Sequence, residues 1–316
     1  MGKSSRTAGQ VKRFVLIART GKRGIFGPVK SVLLVGCGYV ASILAARLRA
    51  RGIATTAVVR SEKSSATLAA CGITARVADC RDPADARRAC KGTFDAVVFS
   101  LSAGGGDYRA VYVDAFRNIL DAIGENPPRF FASTGSTSIY GRSDGEWVAE
   151  DSPPEPSTPN AEILLEAEHL LADRSADRFP AAVVRFSGIY GPSRSHLFDR
   201  LRDGATILPG RPDVWMNRVH RDDAASALEH LLIHPPTAPG CEVFNATDDE
   251  PARQGDVVAW LCEKLGRALP HFDETSPPPR HGAGASTNRR ISNARLRDTG
   301  WKPAFPSYRE GFSALR

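Results

Sequence analysis

Six residues, Gly36-Cys37-Gly38-Tyr39-Val40-Ala41, have the types and the spacing to cradle a pyrophosphate. Gly36 permits a tight turn. Gly38 lets the backbone approach a ligand, and Ala41 is small enough for a helix to pack closely on a strand. The amides opening the next helix would then face the anion, and the helix dipole favours its charge. The pattern alone is common, so its setting decides. Residues 31–36 read SVLLVG, an apolar run of the kind buried on both faces of a parallel sheet, and residues 41–51 place apolar side chains at helical spacing. The expected ligand is a dinucleotide.

The end of the next strand selects among dinucleotides. An acidic residue about 20 positions past the turn would accept from a ribose 2′-hydroxyl. This chain has Val58-Val59-Arg60-Ser61 there. Arginine cannot accept, but its fork suits a 2′-phosphate. Ser61 could add a hydroxyl and Lys63 a charge. NADP is therefore the expected cofactor and NAD the second choice. Asp79, at the end of a third strand, could accept from the adenine amino group or cap the following segment. Ser100, Leu101 and Ser102 open a small, glycine-rich stretch that could lie against the cofactor.

These residues need a scaffold, and its outline is legible. Strand-like runs near 31–36, 53–59, 74–78, 94–100, 129–133 and 181–186 alternate with helical runs at 41–51, 66–71, 83–91, 108–123 and 161–172. That alternation predicts an α/β fold with a doubly wound parallel sheet (Rossmann), with the loops at one edge collecting the binding chemistry. Beyond 186 the pattern loosens into stretches rich in Gly, Pro, Arg and Ser, with helical segments at 220–233 and 254–267. We expect a dinucleotide-binding domain over 31–190 and a smaller, partly irregular C-terminal substrate lobe over 191–316, with 217–250 returning to the first domain.

Composition narrows the class. The 316 residues are 42% apolar, enough for a sizeable core. No apolar run approaches a membrane span. The six cysteines are scattered without metal-ligand spacing and read as reduced thiols of a cytoplasmic protein. The net charge of +7 is local. Residues 1–30 hold eight Lys and Arg and no acidic residue; with them set aside the charge falls to −1. The body thus gives no sign of a nucleic-acid partner. The basic tail reads as a disordered extension or misplaced start, as an organelle-targeting segment, or as a basic arm.

Several later motifs carry a family resemblance. Residues 133–141 (STGSTSIYG), 185–192 (RFSGIYGP), 217–224 (NRVHRDDA), 242–251 (EVFNATDDEP) and 291–300 (ISNARLRDTG), followed by Trp301-Lys302-Pro303 and YREGF, occur in order. On these the chain resembles the extended short-chain dehydrogenase/reductases, the NAD-dependent epimerase/dehydratase family. The resemblance implies a Ser/Thr, Tyr and Lys that polarise a substrate oxygen and transfer its proton. Counting back from Gly141, Ser136 takes the Ser/Thr position. With Glu168 matched to the glutamate four residues past the lysine, the lysine position falls on Leu164 and the tyrosine position on Asn160. No Y-x-x-x-K occurs between 141 and 180. The chain thus resembles the atypical members.

Tyr140 and Tyr190 sit in family Y-G pairs and read as packing residues. Tyr108 could enter the cleft, with Asp107 capping the helix behind it. Glu162 and Glu166 share a helix face and read as solvated. His220, Asp222 and Asp223 resemble a structural block more than a metal site, and no metal is expected. Two functions follow. One is an NADP-dependent reductase or epimerase/dehydratase acting on a small polar, sugar-nucleotide-like substrate; the other is a non-enzymatic NADP(H)-binding sensor. The resemblance also implies a homodimer through helices 108–123 and 161–172.

Overall fold

The computed structural model describes residues 27–124, 126–275 and 288–315. The basic segment 1–26 and the Pro-rich patch 276–279 lie outside them. Seven strands form the central sheet: β1 (Ser31–Val35), β2 (Ala54–Val59), β3 (Thr74–Val77), β4 (Ala96–Phe99), β5 (Phe130–Ser136), β6 (Pro180–Phe186) and β7 (Gly240–Ala246). Their order is β3-β2-β1-β4-β5-β6-β7, and every pairing is parallel. This is the expected doubly wound Rossmann sheet, with a seventh strand supplied from beyond residue 190.

Period-two alternation in the strands builds two cores. Val32 and Leu34 of β1 face helices α1 (Ala41–Ala50) and, further along, α7 (Arg221–Ile233), where Leu44, Leu48, Leu228 and Leu231 are buried. Leu33 and Val35 face the other layer, made by α3 (Pro83–Ala89), α4 (Ala115–Ala122) and α5 (Pro159–Ser175). The remaining helices follow in the chain as α2 (Glu62–Ala70), α6 (His196–Arg202), α8 (Gln254–Leu265), α9 (Ala294–Asp298) and α10 (Tyr308–Ser313). Helices α6, α8 and α10 enclose a separate small core around Phe198, Leu261 and Phe312.

Three helices depart from the sequence reading. The helix expected at 108–123 carries a π turn over Ala110–Asp114 before α4. Val111, Val113, Ala115 and Phe116 are all buried, a run that no single 3.6-residue stripe covers, and the wide turn rotates the chain to bury it. Helix α2 starts earlier than expected because Ser61 caps it. Helix α5 begins at Pro159, after the Thr158 cap, and runs to Ser175. No helix among the described residues is long and apolar enough to cross a membrane.

Candidate active site at the strand ends

Because the strands are parallel, the residues following β1, β2, β3, β4, β5 and β6 gather at one edge. Strand order reverses between β1 and β4, the switch point where such sheets open a crevice. There Gly36 adopts φ +92°, and its amide donates to the Val58 carbonyl at 3.0 Å. A Cβ on Gly36 would lie 2.7 Å from the Ser100 carbonyl oxygen and 2.9 Å from the Leu101 amide nitrogen. A Cβ on Gly38 would meet nothing within 4 Å. Val40 occupies the N-cap position of α1, no side chain caps it, and no acidic residue stands in the first turn. The positive end of that helix is left without a protein anion. Ala41 is fully buried and lets α1 lie against the sheet.

The neighbours of these glycines have structural duties. Tyr39 donates its phenol to the Pro192 carbonyl at 2.8 Å. Its ring is flanked by the Arg194 and Arg221 guanidiniums at 5.5 and 5.1 Å. The side chain thus stitches the turn to the loop after β6, leaving its backbone to the turn. Cys37 is half-buried, and desolvation pushes its thiol up to about 11, so it stays protonated near neutral pH.

At the β2 edge, Arg60 is exposed and makes no hydrogen bond with the described residues. Ser61 accepts from the Ser64 amide at 3.2 Å as the α2 cap and shares a hydrogen bond with the Ser64 hydroxyl at 2.9 Å. Lys63 is exposed in the same first turn. Both Asp79 carboxylate oxygens accept from Arg81, at 2.9 and 2.5 Å. That hydrogen bonding holds the Asp79 carboxyl below its usual range, with Arg60 contributing a smaller attraction. An adenine amino group would therefore compete with Arg81 for Asp79.

Strand β4 delivers Ser100, whose amide donates to the Val35 carbonyl at 2.8 Å. Leu101 is half-buried and Ser102 exposed beside Gly36. Tyr112, in the π turn, lies 5.0 Å from the Tyr108 ring. Asp107 accepts from the Ala110 amide at 3.0 Å, the cap expected from sequence.

Strand β5 ends at Ser136, the Cα partner of Phe186 on β6. The half-buried Ser136 hydroxyl accepts from the Ser138 amide at 3.1 Å, which leaves its proton available to donate. Asn160 is exposed in the first turn of α5. Leu164 packs against the apolar cluster of Ile139, Tyr140, Val148 and Ile291. Glu166 is not simply solvated: it forms a two-pronged pair with Arg109 at 2.7 and 2.8 Å.

Beneath the site, Glu168 and Arg185 form a buried ion pair at 2.6 Å. Arg185 also donates to the Tyr140 hydroxyl, which donates to Asn245 at 3.1 Å. Burial raises the Tyr140 phenol above its ordinary value, and this tyrosine is a strut. Tyr190 is likewise buried, against Gly311, where any Cβ would overlap its hydroxyl. His220 caps α7 by accepting from the Asp222 amide at 3.3 Å, while Asp223 accepts from the Ala304 and Phe305 amides at 2.7 and 2.9 Å. No group of three possible metal ligands occurs among the described residues. Sequence reading missed two buried polar residues: Arg289, bonded to the Thr137 carbonyl, and Ser187, which follows β6. The adjacent pair Arg289-Arg290 before the apolar Ile291 was the available signal.

The family model described as the NAD dependent epimerase/dehydratase family matches residues 32–246. The Escherichia coli K12 protein YeeZ is 30% identical over 258 residues, covering 77% of this chain and 87% of that protein. A Streptomyces protein named 3-diazoavenalumate denitrifying reductase is 31% identical over 170 residues, covering 47% of this chain and 50% of its own. A solved structure from Methylobacillus flagellatus, provisionally named an NAD-dependent epimerase/dehydratase, is 29% identical with a TM-score of 0.72, covering 91% of this chain and 97% of the other. The glycine turn, the serine-bearing β5 end and the buried Arg185 motif all fall within the matched span, and this chain belongs to the NAD-dependent epimerase/dehydratase family.

Proposed function

We propose that the chain binds NADP(H) between the turn at 36–41 and the loop at 100–102, and reduces or epimerises a small polar carbonyl or sugar-nucleotide-like substrate beside Ser136. One observation carries this reading: the uncapped start of α1, behind an open face at Gly38, stands at the same sheet edge as the unpaired Arg60. The backbone of Gly36, Cys37, Gly38, Tyr39 and Val40 would hold the pyrophosphate. Arg60, with Ser61 and Lys63, would face a 2′-phosphate. Ser100, Leu101 and Ser102 would line the crevice, and Asp79 would meet the adenine only by releasing Arg81. The nicotinamide, when bound, supplies or accepts a hydride. Ser136 would donate a hydrogen bond to the substrate oxygen and so orient the substrate. The reductase name of the Streptomyces relative supports this choice within the family.

A second reading, an NADP(H)-binding sensor without turnover, is favoured by Leu164. Half-buried against an apolar cluster, this side chain cannot relay a proton. A homodimer through α4 and α5 would bring the Arg109–Glu166 and Arg174–Asp121 pairs to the interface. The two functional readings separate in one experiment. NADPH and NADH are titrated by nicotinamide fluorescence, and carbonyl and nucleotide-sugar compounds are then screened for hydride consumption by the wild type and Ser136→Ala. Turnover abolished in Ser136→Ala supports the enzyme. Tight NADPH binding with no turnover supports the sensor. Equal affinity for both cofactors, unaltered in Arg60→Ala, overturns NADP.

A further inference from the structure

Two arginines among the described residues are less than a tenth exposed, Arg185 and Arg289. Arg185 has its carboxylate in Glu168. Arg289 has none within ion-pair distance among the described residues. Its Nη2 donates to the Thr137 carbonyl at 2.8 Å, while Nε and Nη1 are buried without a partner. A buried cation is normally paired, because desolvation is costly and only an opposite charge offsets it. Burial accordingly pulls the Arg289 guanidinium down to about 10, still charged at neutral pH.

Its position is fixed from both sides. Asn217 donates to the Arg289 carbonyl at 2.9 Å, accepts from the Ile291 amide at 2.7 Å, and accepts through its own carbonyl from Gly188 at 3.1 Å. Alternation sends the next residue, Arg290, the other way, between the Trp147 and Trp215 rings at 5.1 and 5.0 Å. Arg289 therefore faces the Ser136 end of β5. Ser187, whose hydroxyl is also buried without a partner, follows Phe186, the Cα partner of Ser136. Arg289 is thus tied to the residue that directly follows Ser136, at the end of β5.

We propose that Arg289 binds an anionic oxygen group of the substrate, a carboxylate, beside the carbon whose oxygen meets Ser136. This rests on the function proposed above. One unpaired guanidinium neutralises one charge, which suits a carboxylate better than a dianionic phosphate; both offer the same acceptor oxygens.

The test uses the full chain saturated with NADP, titrated with benzoate, benzamide and methyl phosphate at constant ionic strength, with Tm as the readout. Benzoate raises Tm saturably, benzamide does not, and methyl phosphate does so more weakly. Arg289→Gln abolishes the benzoate response, and Arg289→Lys weakens it several-fold. If Arg289→Gln does not fold, the Nε–H NMR resonance of Arg289, assigned by its loss in Arg289→Lys, decides. Movement with benzoate and not benzamide supports the proposal; no movement overturns it. Benzamide acting like benzoate, or a benzoate response retained in folded Arg289→Gln, also overturns it. Methyl phosphate acting more strongly than benzoate overturns the carboxylate assignment. NADP binding is read in the same samples, so loss of cofactor binding, which sinks the parent reading, is seen separately from loss of the anion response.

Discussion

The Ser100 carbonyl oxygen stands 2.7 Å from where a Cβ on Gly36 would be, so the loop after β4 closes directly onto the turn after β1. Gly36 also holds φ +92°, which a side chain disfavours. Gly36→Ala should cost about 2 kcal/mol or more of stability and abolish dinucleotide binding. Gly38→Ala, with open space around its new methyl, should keep the wild-type melting temperature and lose only dinucleotide affinity. Chemical denaturation and fluorescence titration on the two variants check the contrast. A Gly36→Ala protein as stable as wild type would refute it.

Arg60 makes no hydrogen bond with the described residues, so its removal should leave the fold unchanged. Arg60→Ala should weaken NADPH by about 10- to 100-fold, the worth of one or two charge-assisted hydrogen bonds, and leave NADH within twofold. Parallel titrations at fixed salt measure this.

Removing the carboxylate from the Glu168–Arg185 pair would leave a buried guanidinium held only by the Tyr140 hydroxyl. Glu168→Ala should cost about 3–5 kcal/mol. Tyr140→Phe, which removes one buried hydroxyl, should cost about 1–3 kcal/mol. Urea unfolding ranks the two.

Leu164, the place counted back from Glu168 for the lysine that the family resemblance implies, packs against Ile139, Tyr140, Val148 and Ile291. Leu164→Lys, alone or with Asn160→Tyr, should destabilise the chain by about 2 kcal/mol or more rather than create a working pair, since an ammonium there displaces apolar contacts. A double variant that is both stable and faster in hydride transfer would disprove this.

The contribution of His220 to stability should fall on mild acidification. Desolvation of His220, with a smaller push from Arg221, lowers its pKa from the ordinary 6.5. Below 6.5 the unfolded chain binds this proton and the folded chain does not, so folding weakens as pH drops from 6.5 toward the depressed folded value and levels off beneath it. His220→Asn, which can still cap α7, should flatten that part of the Tm–pH profile.

The sequence by itself determined the sheet and the edge on which the candidate site lies. Apolar runs such as 31–35 and 94–99, broken by helical spacing, leave a parallel doubly wound sheet as the way to bury both faces, and that topology brings Gly36, Arg60, Asp79, Ser100 and Ser136 to one edge. It also shows that no Y-x-x-x-K lies between 141 and 180, and because helix α5 is continuous the places expected for that pair can be counted from Glu168. Tertiary structure alone decided how residues far apart in the chain share atoms. Arg81 occupies Asp79, Arg109 reaches Glu166 across 57 residues, and Arg289 reaches Thr137 across 152. Periodicity reports which way a side chain points along its own element. It carries no record of which distant charge that side chain meets, and so no record that Arg289, unlike Arg185, meets none.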